Sequence, residues 1–479
     1  MRDAESYARE FRGRFLEELK KFMRFPSISS QPKHAKDIMK CAYWLADHMR
    51  QIGLKKTRVI ATKRHPLVYG EWRHAPGKPT ILIYGHFDVQ PVDPLEAWKS
   101  PPFDPQVRGE HLYGRGSCDD KGQLFLHLKA VEALLKTDGK LPVNVRCLFE
   151  GEEEIGSPNL PAFLSRNANE LRSDAAVVSD TRMLGPDRPA IHYAERGALS
   201  AEIEVTGPAH DLHSGNFGGM VHNPLEALCE MMAKLHDSEG KVAIPGFYDR
   251  VLPVSDKERK YMKRTGPNDA EIIRDASVKE AWGESKFSLY ERTTLRPALT
   301  INGIVGGYQG TGSKAVIPSH AVAKLNFRLV SAQKPKEIDQ LFRRYVERIT
   351  PPTVKSMVRS EPGAEPVLIH PGQLAIRAAA KAYRRVFGVA PVFLRSGGTI
   401  PIVSSFQRFL GVPTVLMGFA LPDARLHAPN ENLHLPTFER GISTSVWFLR
   451  FVADSDLRRS TGNAVATGAF RGLGRHYDH

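Results

Sequence analysis

Residues 150–157 read EGEEEIGS and follow an apolar run at 143–149, so three consecutive carboxylates, Glu152, Glu153 and Glu154, stand at the end of a predicted buried strand. Carboxylates this close raise one another's pKa and resist burial unless a cation or hydrogen-bond donors compensate them. Alone, the stretch reads as a solvated acidic loop. Its company changes that reading: YGHFDVQP at 84–91, GRGSCDDKG at 114–122, VVSDT at 177–181 and DARLHAPNENL at 423–433 all carry residues of the metal-ligand type. His, Asp and Glu gathered from several strand ends make a candidate metal centre, and a metal would neutralise the acidic cluster.

Each segment also has a structural reading. In His86-Phe87-Asp88 the two polar side chains share one side of an extended segment, which lets a carboxylate orient an imidazole. Asp119 and Asp120 precede a helix predicted from Lys121, and in that place suit helix capping. Cys118 has no evident His and Asn to activate it, so it reads as a structural neighbour. Gly114 and Gly116 lack the third glycine and the preceding strand of a dinucleotide site, and read as a turn.

The elements that must hold these residues alternate. Helical periodicity covers 2–24, stopping before Pro26, and 35–51, stopping at Gly53. Extended runs follow at 56–61, 66–71 and 80–84, then a helix at 121–135 and strands at 143–149 and 175–178. This is the pattern of an open α/β sheet, where sites gather beyond the carboxyl ends of strands. His86, Glu153, Glu154 and Asp180 fall just past such ends.

From Gly197 the texture changes to strands at 198–205, 298–304 and 322–330 with helices at 224–235 and 335–349, an α+β pattern. Within it, 237–296 is polar, contains short helical pieces such as 256–263, and reads as an insertion. A helix at 371–387, a strand at 414–417 and a helix at 438–452 return to the first domain. The expected division is 1–196 and 366–455 for the catalytic domain and 197–365 for the inserted one, with 456–479 a disordered tail.

At 479 residues the chain suits two or three domains. Its 67 Lys and Arg against 53 Asp and Glu give +14, but the basic residues are dispersed and no nucleic-acid motif appears, so the charge favours solubility or attraction of acidic substrates over nucleic acid. The four cysteines form no C-x-x-C pair, no apolar run reaches the length of a membrane span, and the first 24 residues are charged. The expected location is cytoplasmic, with no membrane partner.

Together, the segments from FPSIS at 25–29 to NENL at 430–433 resemble the dinuclear zinc hydrolases of the carnosinase, carboxypeptidase G and succinyl-diaminopimelate desuccinylase family, closest to the cytosolic carnosinase-like dipeptidase branch. The resemblance implies an open mixed sheet flanked by helices, with an inserted α+β lid and dimerisation domain. It implies two zinc ions per subunit, replaceable by manganese or cobalt: His86, Asp119 and Asp180 on one, Asp119, Glu154 and His427 on the other. Glu153 is then the general base that takes the proton of a metal-activated water. Asp88 supports His86, and the Asp119-Asp120 peptide is cis. His213, in DLHSG at 211–215, is selected over His210 and His222 as the oxyanion donor supplied across a homodimer, for which 198–205 and the helix after Pro224 are the interface candidates.

Arg328 matches the family's arginine that grips a substrate carboxylate, and RSGGTIP at 395–401 matches a Gly-rich loop in which Ser396, Gly397, Gly398 and Thr399 line the same end. Two departures stand out: Ala315 replaces a threonine, and Ser396 replaces a glutamate, so strict dipeptidase specificity is left open. Three functions are therefore carried forward: a hydrolase of small carboxylate-bearing peptides, an N-acyl amino acid deacylase with the same metals, and an inactive binding or scaffold protein. The length of the 237–296 insertion favours the first over the second, and intact ligands count against the third.

Overall fold

A computed structural model describes residues 3–455 and Leu457, so the tail expected at 456–479 lies almost wholly outside the described residues. The described residues form two compact units: one of residues 3–193, 369–394 and 400–455, the other of residues 194–368 and 395–399.

The first unit is built on a mixed sheet in the order Lys55–Ile60, Leu67–Trp72, Asn144–Glu150, Thr80–His86, Ala175–Val178, Thr414–Met417, Ala190–Glu195. The four strands from Asn144–Glu150 to Thr414–Met417 run parallel, while Leu67–Trp72 and Ala190–Glu195 pair antiparallel beside them. Both central strands, Thr80–His86 and Asn144–Glu150, are buried throughout, as near-continuous apolar runs in a sheet covered on both faces should be. The α/β class is thus the one the alternation predicts, and the mixed sheet the one the resemblance implies.

Helix Lys121–Thr137 lies at the centre of the helical layer and is buried from Lys121 to Leu134. It packs on Thr80–His86 and against helices Ala4–Glu10 and Leu435–Ala453. Buried Lys129 is tolerated there because its Nζ reaches Glu18 Oε2 at 2.5 Å, His48 Nε2 at 2.8 Å and Glu132 Oε2 at 2.8 Å.

Some elements differ from the expectation. The helix expected over 2–24 is two helices, Ala4–Glu10 and Arg12–Met23, broken at Phe11, whose ψ of 12° leaves the helical region two residues before a weak helix former, Gly13. The last helix starts at Leu435 rather than 438, because Pro436 fits a first turn that needs no N–H there. Strand Ala190–Glu195 has no counterpart among the expected elements; its mixed polar and apolar residues carry no clean alternation. No helix among the described residues is long and apolar enough to cross a membrane.

The second unit carries an antiparallel sheet in the order Ala298–Gly306, His320–Leu329, Gly197–Thr206, Lys355–Ser360. Leu199, Ala201, Ile203 and Val205 alternate onto one face and form a core with helices Pro224–Ala233 and Pro335–Ile349. Strand Gly197–Thr206, which covers the interface candidate 198–205, is hydrogen-bonded along both edges and so has no edge to offer a further strand. The outer strands are Ala298–Gly306, where Ile301, Ile304 and Val305 are exposed, and Lys355–Ser360. The polar stretch 237–296 contains helices Asp256–Thr265, Asp269–Ala276 and Leu289–Thr294.

Candidate metal centre

Three parallel strands of the first unit end in the residues singled out above. Thr80–His86 ends on His86 itself, Asn144–Glu150 leads into Glu152, Glu153 and Glu154, and Ala175–Val178 leads to Asp180. Asp119 arrives from a loop that folds back on the start of helix Lys121–Thr137. That fold demands glycine at position 122, where a Cβ would lie 1.9 Å from the Ser117 carbonyl oxygen. The Asp119-Asp120 peptide is cis, and His427 has φ of 60°.

The ligand atoms converge in two groups. His86, Asp119 and Asp180 form one and Asp119, Glu154 and His427 the other, each with its atoms within 4.8 Å of one another. Asp119 turns one oxygen to each imidazole: Oδ1 lies 3.1 Å from His86 Nε2 and Oδ2 lies 2.8 Å from His427 Nε2. Asp180 Oδ2 is 3.9 Å from His86 Nε2, and Glu154 Oε2 is 3.3 Å from His427 Nε2.

The acidic run divides into three fates. Glu152 is buried and accepts from His65 N at 2.6 Å, Thr62 Oγ1 at 3.2 Å and Asn159 Nδ2 at 2.9 Å, so it builds the loop. Glu154 faces His427. The Glu153 carboxylate accepts no hydrogen bond from any described residue, although its backbone is fixed. Glu150, one turn earlier, is held by Tyr84 and by Ser157 Oγ at 2.8 Å.

Asp88 does more than attend to His86. Its Oδ1 accepts from Glu153 N at 3.1 Å and its Oδ2 from Glu154 N at 3.0 Å, while its carbonyl oxygen lies 3.1 Å from His86 Nδ1. It therefore ties the strand end bearing His86 to the loop bearing both glutamates. In Asp88→Asn the amide nitrogen cannot accept, so one of the two loop bonds is lost. The expected result is a loss of about 10- to 100-fold in metal affinity or turnover, read by metal titration and kcat.

Asp120 stands at the N-cap position of its helix but makes no side-chain cap; its Oδ2 accepts instead from His86 N at 3.2 Å, so the capping role expected from the sequence is replaced by one at the strand end. Burial, with Glu431 and Asp119 nearby, pushes the Cys118 thiol well up, which leaves it unreactive.

Charge is the main property of the centre. Asp119, Asp180, Glu153 and Glu154 have no Lys or Arg ion pair among the described residues; the ion pairs they make are to His86 and His427. Burial, then Asp119 and Asp120, holds Asp180 well above the usual carboxylate range; burial, with Glu154 and Asp88 adding to it, does the same to Glu153. For Asp119 burial works upward too, but hydrogen bonds from His427 and His86 outweigh it and hold the carboxyl down. Hydrogen bonds to Asp119 and Glu154 push His427 up to about 10. Buried oxygen and imidazole donors with excess negative charge fit a pair of divalent cations. The contrast is the group of Glu18, His48 and Glu132, whose ligand atoms also lie close together but whose two carboxylates the Lys129 ammonium and the Arg14 guanidinium already neutralise.

The second unit places the remaining residues. Arg328 Nη1 donates to Thr399 Oγ1 at 2.8 Å, and Thr399 Oγ1 donates to the Arg196 carbonyl at 2.6 Å. Arg196 N donates to Gly398 O at 3.0 Å and Arg196 Nε to Gly397 O at 2.8 Å, while Ser396 Oγ accepts from Gly398 N at 3.0 Å. Neither arginine has a carboxylate partner among the described residues; burial and the adjacent Arg328 bring Arg196 down to about 10. Arg196 was missed because it follows a strand, Ala190–Glu195, that the sequence pattern did not mark. His213 is exposed on the short strand Leu212–His213, and its Nδ1 accepts from Gly215 N at 3.0 Å, which puts the ring proton on Nε2 as a donor.

The chain matches Peptidase family M20/M25/M40 over residues 82–450. It is similar to the Cys-Gly metallodipeptidase DUG1 of Candida albicans, with 32% identity across 92% of this chain and 95% of that one. It is also similar to the human Beta-Ala-His dipeptidase, with 30% identity across 88% of this chain and 86% of that one. Among solved structures, the metallo-carboxypeptidase Sso-CP2 of Sulfolobus solfataricus superposes with a TM-score of 0.85 at 32% identity, covering 92% of this chain and 99% of that one.

Proposed function

This chain belongs to peptidase family M20/M25/M40, and from that premise we propose that it is a dinuclear zinc dipeptidase acting on short peptides with a free carboxylate. The observation that supports this best is the sharing of Asp119 by two ligand groups beside a glutamate, Glu153, that accepts no hydrogen bond. His86, Asp119 and Asp180 would hold one ion, and Asp119, Glu154 and His427 the other, with manganese or cobalt able to substitute. Such ions supply Lewis acidity that makes water nucleophilic near neutral pH and stabilises developing oxyanion charge.

Glu153 accepts the water's proton and returns it to the leaving amine. Its unengaged carboxylate suits that task, since no donor competes for the proton-accepting oxygen. Asp88 fixes the backbone of Glu153 and so its distance from the ligands. His213, with a proton on Nε2, is the oxyanion donor, contributed within a homodimer assembled through the second unit. Arg328, with Thr399 and the loop of Ser396, Gly397 and Gly398, grips the substrate carboxylate; a guanidinium with no carboxylate partner among the described residues is suited to an anionic ligand. The cytoplasm is the proposed location.

The N-acyl amino acid deacylase reading draws on one observation: Ser396 brings no charge, and its hydroxyl is engaged by Gly398 N, so this position cannot pair with a substrate ammonium. The test compares kcat/KM for dipeptides, their N-acetylated forms and N-acyl amino acids. Cleavage of free-amine dipeptides supports the proposal, whereas cleavage of N-acyl amino acids alone replaces it. Arg328→Ala is expected to raise KM about 10- to 100-fold, the worth of a hydrogen bond to a charged group, with a smaller change in kcat. An unchanged KM removes Arg328 from the carboxylate grip.

A further inference from the structure

The loop that carries His427 also carries a glutamate to which no role is assigned above. Glu431 is fully buried, and both its oxygens are saturated by donors from one distant segment. Oε2 accepts from Arg115 Nη1 and Gly116 N, each at 2.9 Å; Oε1 accepts from Cys118 N at 2.9 Å and Asp119 N at 3.0 Å. Its carbonyl oxygen accepts from Gly114 N at 3.0 Å. Arg115 in turn donates through Nη2 to the Pro91 carbonyl at 2.9 Å, reaching the segment that follows His86 and Asp88. One buried ion pair thus joins three ligand-bearing segments.

We propose that Glu431 is the positioning residue of the metal centre, fixing bridging Asp119 relative to His427 through the backbone N–H groups it accepts. The geometry has a specific consequence. The donors on Oε1 are the N–H of Asp119 itself and that of its neighbour, so the height of the bridging carboxylate is set from the His427 loop. A carboxylate is required, since four N–H donors need acceptors on both oxygens, and a glutamine would present its own NH2 to two of them. Holding ligands through buried partners is how proteins tune metal affinity, and losing such a partner costs about 10- to 100-fold in affinity. The proposal rests on the dinuclear reading given above.

The test is Glu431→Gln in the full chain, with Arg115→Met as a second variant that leaves the three backbone bonds to Glu431 in place. Metal-free protein is titrated with Co²⁺ and followed by its visible absorption, and melting temperature is measured with and without the ion. Two Co²⁺ sites in the natural protein, at least one weakened about 10- to 100-fold in Glu431→Gln, with a smaller metal-induced rise in melting temperature, is the expected result. Arg115→Met is expected to weaken binding less. A Glu431→Gln protein whose metal-free form melts lower but whose Co²⁺ affinities are unchanged overturns the proposal, because the residue then serves only the fold. If Glu431→Gln does not fold, unchanged Co²⁺ affinities in Arg115→Met overturn it. A natural protein that takes up no Co²⁺ instead overturns the dinuclear reading.

Discussion

Glu153→Gln is expected to retain both metals and lose about 10²- to 10⁴-fold in kcat, the range for removing general acid–base catalysis. Three features make this substitution clean. The carboxylate accepts no hydrogen bond from a described residue, so the amide orphans no donor. The backbone stays anchored, because Asp88 Oδ1 bonds Glu153 N and not its side chain. The side chain belongs to neither ligand group. Glu154→Gln is the control one residue along: Glu154 faces His427 at 3.3 Å and accepts from Gln90 Nε2 at 2.7 Å, so its loss is expected to weaken metal binding. Metal content and kcat measured on both variants separate the roles. Exchange of the two phenotypes would show that base and ligand are assigned one residue out of register.

Removal of the metals is expected to abolish turnover and to lower the melting temperature. Asp119, Asp180, Glu153 and Glu154 are brought together with only His86 and His427 as protein counterions. A cation that binds the folded centre and not the unfolded chain stabilises the fold, by about 4 kcal/mol when present at a thousand times its dissociation constant. Dialysis against a chelator followed by scanning calorimetry measures this, and return of zinc, manganese or cobalt should restore both properties, since oxygen and nitrogen sites discriminate weakly among these ions. Full activity in protein shown by elemental analysis to be metal-free would remove the metal mechanism altogether.

His86, Glu154 and Asp180 were legible because each stands at or just past the end of an apolar run, and the α/β alternation points such ends to one side of a sheet; Asp119 and His427 lie in polar loops and were picked out only by the family resemblance. Glu431 was not legible: a glutamate in a polar loop has no periodicity, and its meaning comes from N–H groups 312 to 316 residues away. Glu152 shows the same limit from the other side, since in EGEEEIGS nothing distinguishes the glutamate that builds the loop from the two that face the centre. Arg196 lay hidden at the margin between the expected domains. Strand 198–205 was legible as a half-buried strand, but not its place in the middle of its sheet, where hydrogen bonds occupy both edges. Alternation reports which face is covered and is silent about which edge is open.

The helical layer and the strand ends answer the same electrostatic demand in different ways. Lys129 gives the acidic group around His48 a counterion that is part of the chain and that no chelator can extract. On the proposed dinuclear reading, the centre around Asp119 takes its counterions from solution instead. Stripping the protein should therefore loosen the loops that carry His427 and Glu153 while the helices around Lys121–Thr137 keep their packing. The metal-free chain is then expected to be a reloadable scaffold rather than a denatured one, with the supply of divalent ions setting how much of it is active.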